Sequence, residues 1–191
     1  MVIYAETGRL LLRPLEKREL PRLVALMDDW DVVRWLVVVP FPYTKRDAEE
    51  FYATTERANA EGTPQFYAIA LKSNNHLIGG VGLHPPRGNG YAEGDVEIGY
   101  WLGKDYWGHG FMSEAVHAVA ALGFVRPTTR ALVATTSPNN KASQNVLRKL
   151  GMREGEVRPL NYAVLRGGTQ TIPWRLTREE QDKKPVVSGA D

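Results

Sequence analysis

The segment Trp107-Gly108-His109-Gly110 sets two glycines one residue apart, between an alternating apolar run and an apolar helical stripe. A turn between a strand and a helix exposes backbone N–H groups at the positive end of the helix dipole, a setting that favours an anion. Glycine there permits positive φ and lets phosphate oxygens approach with no Cβ in the way. The same spacing also serves a purely structural loop. Two rival phosphate fingerprints fit poorly. A Walker loop needs Gly-Lys followed by Ser or Thr, whereas Gly103-Lys104 precedes Asp105. A dinucleotide fingerprint wants an acidic residue after the next strand, where this chain reads Thr135-Thr136-Ser137-Pro138.

Other residues with chemistry to offer lie on either side of this turn. Residues 95–102 alternate, with Val96, Ile98, Tyr100 and Leu102 on one face and Asp95, Glu97, Gly99 and Trp101 on the other. Glu97 is thus either a solvated strand carboxylate or a proton acceptor. Asn139 or Asn140 suits the N-cap of a helix over residues 141–150, and Ser143 falls on its first turn. His76, His84, His109 and His117 lack the i, i+4 pairing of helical metal sites, so no metal is expected. Zero cysteines remove disulfides, thiolate ligands and a thiol nucleophile, and fit a reducing, cytoplasmic compartment.

The elements that must position these residues follow from periodicity. Residues 9–13 read as a strand closed by Pro14, and Leu20, Leu23, Val24 and Met27 form a helical stripe. A second amphipathic helix runs from a Thr44 cap to Gly62. Residues 65–71 and 77–84 flank Ser73-Asn74-Asn75 as an antiparallel hairpin, and the Pro- and Gly-containing residues 85–94 form a loop. After the glycine turn, Met112, Ala115, Val116 and Val119 trace a helix, followed by a strand over 130–136. Short links between strand, helix and strand require a right-handed parallel crossover, with ligands at the C-terminal strand ends. The helix over 141–150 ends at Gly151, and two late strands flank Arg166-Gly167-Gly168, the second near residues 169–176. Residues 1–177 make one domain, and the charged segment 178–191 is expected to be an unstructured tail.

The chain of 191 residues, 43 % hydrophobic and 24 % charged, has the composition of one soluble domain. A net charge of +2 gives no field that selects nucleic acid or an anionic membrane, and no apolar run approaches spanning length.

In four blocks the sequence resembles the GNAT N-acetyltransferases, in particular the branch whose members acetylate N-termini of ribosomal proteins. The blocks are Thr7-Gly8-Arg9-Leu10-Leu11-Leu12-Arg13-Pro14, Val96-Glu97-Ile98-Gly99-Tyr100-Trp101-Leu102, Tyr106-Trp107-Gly108-His109-Gly110, and Asn140-Lys141-Ala142-Ser143 ahead of Val146-Leu147-Arg148-Lys149-Leu150-Gly151-Met152. The resemblance implies an α/β (α+β) fold: one mixed, mostly antiparallel twisted sheet with a central parallel strand pair and helices on both faces. It implies acetyl-CoA as co-substrate, held by Trp107, Gly108, His109, Gly110, Phe111 and Met112 at the pyrophosphate, and by Trp101, Leu102, Asn140 and Ser143 along the pantetheine arm. Many members carry Gln or Arg where this chain has Asp105, so Asp105 is expected to face solvent.

The resemblance further implies direct acetyl transfer to an amine, with Glu97 as base, Ser143 as proton donor to the departing thiolate and Tyr162 as a second group for proton handling. The acceptor wall would be drawn from Trp30, Trp35, Phe41, Tyr43 and His84. Aromatic residues in a small domain also serve as core, and Asp28, Asp29 and Asp31 either attract a cationic acceptor or terminate one helix and cap the next. An α-amine is the easier acceptor, because at pH 7 a far larger fraction of it is neutral than of a lysine side chain. A small-molecule acceptor and a non-catalytic acyl-CoA sensor share the same scaffold. The assembly is expected to be a monomer or homodimer without nucleic acid or membrane.

Overall fold

The computed structural model describes residues 2–87, 90–159 and 168–183. Along these residues the order is β1 (Ala5–Glu6), β2 (Leu10–Arg13), a 3-10 turn (Lys17–Glu19), α1 (Leu20–Met27), α2 (Trp30–Val33), α3 (Lys45–Ala60), β3 (Phe66–Leu71), β4 (Leu77–His84) and β5 (Asp95–Leu102). A second 3-10 turn (Lys104–Tyr106) leads into α4 (Phe111–Val125), β6 (Ala131–Thr136), α5 (Lys141–Leu150), β7 (Arg153–Glu154), β8 (Arg158–Pro159), β9 (Gln170–Thr177) and α6 (Arg178–Asp182). The strands form one sheet in the order β1-β2-β3-β4-β5-β6-β9-β7, with β8 pairing β9. β5 and β6 run parallel, and the other paired strands are antiparallel. The expected strand–helix–strand crossover is therefore present as β5-α4-β6.

Both faces of the sheet are covered, and this explains a pattern that alternation misses. On one face α4 and α5 pack Val116, Val119 and Leu147 against Ile69, Leu83, Ile98 and Leu132. On the other, α1, α2 and α3 pack Leu23, Val33 and Ala48 against Phe66, Ala68 and Leu77, with Trp101 at the edge. All of Leu10–Arg13 is consequently buried, Arg13 included. The Arg13 guanidinium donates to both Glu19 carboxylate oxygens at 2.7 and 2.9 Å, to Asn75 Oδ1 at 2.8 Å and to the Pro14 carbonyl at 3.0 Å. A buried cation is tolerated because its donors are satisfied, and the pair fastens the entry of α1 to the sheet.

Local signals set the helix ends. Thr44 and Asp47 form a reciprocal capping box at α3, Asn140 Oδ1 accepts from the Ser143 amide at α5, and Gly151 closes α5 in the left-handed conformation. Residues 178–182, expected to be unstructured from their charge, are helical instead. Thr177 and Glu180 make a second capping box, and the Arg178 guanidinium donates to the Thr129 and Arg126 carbonyls. The earlier of the two strands expected around Arg166-Gly167 lies outside the described residues.

Candidate active site

β5 and β6 pair only from Asp95–Ala131 to Glu97–Val133, although β5 continues to Leu102 and β6 to Thr136. Beyond Glu97 the two strands separate, and a cavity of about 580 Å³ passes between them from one face of the sheet to the other. On the α4–α5 side it is lined by Tyr100, Trp107, Gly108, Gly110, Asn140 and Ser143; on the α1–α3 side by Trp35, Tyr43, Phe66, His84, Glu97 and Trp101.

The glycine turn has the shape an anion requires. Gly108 and Gly110 both have φ +79°, and a Cβ at Gly108 would meet no atom within 4 Å, so its side of the turn is open. Gly110 is the N-cap of α4 and brings no side chain to its first-turn amides. Those amides and the dipole of a 15-residue helix face the turn, which fits a pyrophosphate.

Distant residues hold the turn in place. Arg9 donates to the His109 carbonyl at 2.9 Å, pairs with Glu114 at 2.7 Å and stacks over Phe111 at 4.6 Å. Glu114 also accepts from the Thr7 hydroxyl and from the Arg9 amide. Burial works to raise the Glu114 pKa, but these hydrogen bonds and the Arg9 charge outweigh it and hold the carboxyl below its ordinary value. Arg9 and Glu114 were not among the expected site residues, because their meeting across more than a hundred positions has no local signature.

The other donor-side residues divide. Trp107 is exposed, and its indole N–H donates to the Leu102 carbonyl at 2.7 Å, so it ties the turn to the end of β5 and engages a carbonyl expected to face pantetheine. Leu102 belongs to the core and also lines the cavity. Phe111 and Met112 line the cavity, whereas His109 is exposed, stacks on Phe111 and lies off the lining. Asp105 is exposed and off the cavity, as expected. Asn140 lines the cavity while capping α5. The Ser143 hydroxyl lies 2.8 Å from the Tyr100 phenol, a residue not among the expected site residues. Burial pushes the Tyr100 pKa well above the ordinary phenol value, against a smaller lowering by Ser143, so the phenol stays protonated beside that hydroxyl.

At the separation of the strands, Glu97 is largely buried, with 15 % of its side chain exposed. It accepts from the Arg87 amide at 3.1 Å and lies 3.8 Å from His84 Nδ1. His84 Nδ1 sits 3.0 Å from the Pro85 carbonyl, and Nε2 sits 3.3 Å from an Arg87 guanidinium nitrogen. A carbonyl can only accept and a guanidinium can only donate, which fits a ring with its proton on Nδ1.

Of the expected acceptor wall, Trp35, Tyr43 and His84 line the cavity and Trp30 and Phe41 do not. α2 buries Val32 and Val33 and leaves Trp30 outside, edge-on to the Phe41 ring at 5.3 Å, with 45 % and 41 % of the two residues exposed. Burial raises the Tyr43 pKa to about 12. Tyr162 lies outside the described residues. Asp29 caps α2 and Asp31 pairs with Lys104 at 2.7 Å. Among the described residues no group of three or more His, Cys, Asp or Glu is placed to hold a metal ion.

A carrier-shaped turn, a split parallel pair and a carboxylate at the split are together on one cavity. The sequence pattern of the acetyltransferase (GNAT) domain matches residues 9–153. The chain belongs to the GNAT acetyltransferase family. It is similar to the uncharacterized N-acetyltransferase p20 of Bacillus licheniformis, at 30 % identity over 82 % of this chain and 86 % of that one. A GNAT-family acetyltransferase of Bacillus anthracis has the same fold, with TM-score 0.75, 25 % identity and coverage of 94 % and 100 % of the two chains. RimL, a ribosomal alpha-N-protein acetyltransferase solved in complex with coenzyme A, shares the fold at TM-score 0.74 and 17 % identity, over 94 % of this chain and 99 % of that one. The GNAT chain described here is an acetyl-CoA-dependent N-acetyltransferase.

Proposed function

We propose that this GNAT enzyme moves an acetyl group directly from acetyl-CoA to the α-amine of a peptide or protein N-terminus. The observation that carries the reading is the position of Glu97, where the donor side of the cavity meets the acceptor side. Acetyl-CoA supplies the activated thioester when bound. The first-turn amides of α4 and the Gly108–Gly110 turn hold its pyrophosphate. Asn140, the Ser143 side chain and the unpaired backbone of β5 near Trp101 line the path of the pantetheine arm. Glu97 takes the ammonium proton, directly or through a water, and the Ser143 hydroxyl returns a proton to the departing sulfur with Tyr100 behind it. The sequence offers no cysteine to carry the acetyl group, which accords with direct transfer.

Acceptor chemistry supports the α-amine. With a pKa of about 8 it is about one-tenth neutral at pH 7, whereas a lysine near ~10.4 is neutral in well under a thousandth of molecules, a difference of ~3 kcal/mol. The fold shared with RimL, named for alpha-N-protein acetylation, agrees. Free thiol release measured with acetyl-CoA and a peptide panel tests the reading. Peptides with a free α-amine react, and the same peptides with a blocked α-amine and one lysine do not. Equal reaction of both sets overturns the α-amine assignment. Tight acetyl-CoA binding with no thiol release from any amine overturns catalysis in favour of a sensor.

A further inference from the structure

The acceptor side of the cavity has an uneven chemistry that bears on which amine enters it. Leu36, Val37, Val38 and Val39 line it as a continuous apolar stretch leaving α2, faced by Phe51 of α3 and Phe66 of β3. Among the described lining residues Glu97 is the single carboxylate. Of the acids nearby, Asp29 caps α2, Asp31 pairs with Lys104, Asp47 belongs to the α3 capping box, and Asp28 is exposed and off the cavity lining. The other charged group on this side is a cation, Arg87, whose guanidinium rests on His84.

From this distribution we infer that the residue bearing the acetylated α-amine carries a large apolar side chain, which lies against Val37, Leu36, Val39 and Phe51 while its ammonium meets Glu97. The inference rests on the α-amine reading above and narrows it. A single ammonium finds its counter-charge at Glu97. A second one, as in a lysine-first peptide or a polyamine, enters an apolar wall with no carboxylate to receive it and Arg87 to repel it, a placement that is costly for any unpaired charge. An acidic side chain stands between Glu97, which repels it, and Arg87, which attracts it, so the apolar wall sets the cost of its charge. A leucine or phenylalanine side chain gains by leaving water.

The test is a set of peptides identical except for a first residue of Phe, Leu, Ser, Asp or Lys, run beside 2-phenylethylamine, ethanolamine and putrescine. Phe- and Leu-first peptides should exceed Ser-first in kcat/KM by on the order of ten- to a hundredfold, with Asp- and Lys-first lower still. V37D, which changes a half-buried side chain outside the packed core, should erase most of this preference, lift the Lys-first peptide and leave acetyl-CoA affinity unchanged. Peptides that react equally regardless of their first residue, or a V37D profile identical to the parent, overturn the inference and leave the α-amine reading standing. A strong preference for 2-phenylethylamine over ethanolamine with no reaction of any peptide overturns the α-amine reading instead and keeps the apolar wall.

Discussion

The two sides of the cavity are built in opposite ways. The donor side comes from one stretch of chain, β5 through α5, where turn, helix and strand follow one another with short links. The acceptor side is gathered from the segment after α2, from α3, from β3 and β4, and from the loop holding Arg87. The donor turn takes its shape from local backbone geometry at Gly108 and Gly110 and is braced from a distance by Arg9 and Glu114. The acceptor side is held by side-chain packing and ion pairs between segments far apart in sequence, and its chemistry can change while the donor side stays fixed.

The largest effect should come from cutting the buried ion pair that fastens the entry of α1 to the sheet. Glu19→Ala leaves the Arg13 guanidinium buried without its carboxylate and should cost about 3–5 kcal/mol of stability, read by urea unfolding. The folded fraction should keep its acetyl-CoA affinity; a parallel loss of affinity would show the two sides to be one mechanical unit.

Glu97→Gln stands next, at the junction of the sides. It should lower kcat/KM on the order of a hundredfold at neutral pH and progressively less as pH approaches the acceptor's own pKa, where the amine loses its proton unaided. A pH profile parallel to that of the parent enzyme removes Glu97 from proton transfer.

On the donor side, Gly110→Val places a branched side chain at φ +79°, its Cβ 3.5 Å from the Arg9 guanidinium that braces the turn, and should distort the first-turn amides of α4. Losing one or more charge-assisted N–H contacts should raise the acetyl-CoA Kd on the order of ten- to a hundredfold by calorimetry. The left-handed strain costs only about 1–2 kcal/mol of stability. Retained affinity sinks the assignment of this turn to the pyrophosphate.

The smallest effect concerns the brace behind that turn. Glu114 has a folded-state pKa below its unfolded value, so its contribution to stability is full above the unfolded value of about 4 and is lost as pH falls through the folded one. Glu114→Gln should therefore flatten the acid limb of the stability curve, and it should raise the acetyl-CoA Kd a few-fold by loosening Arg9. An unchanged acid limb would mean that Arg9 alone carries the brace.

Much of this molecule is readable along the chain because its causes are local. β4, β5 and α5 begin and end where alternation, helical stripe and caps place them, and the Gly108–Gly110 turn sits where strand gives way to helix. Trp30 and Phe41 show where that reading stops. Being aromatic and near Tyr43 says nothing about which rings face a cavity; that depends on which side of α2 is buried, and Val32 and Val33 take it. Tyr100 is a case alternation leaves open: it packs against the core and, where β5 and β6 part, also lines the cavity beside Ser143. The helix at residues 178–182 was hidden because its caps and its Arg178 contacts outweigh a composition that suggests disorder.

By itself the sequence determined the donor side: glycine turn, strand, helix and cap are consequences of neighbours in the chain acting on backbone conformation. Only the tertiary structure decided that Arg9 and Glu114 brace that turn, that Glu97 sits half-buried at a strand split, and that the wall beyond it is apolar. Those features depend on side chains brought together from distant segments, and the free energy that selects them is that of packing and charge pairing in the folded state, which local spacing does not record.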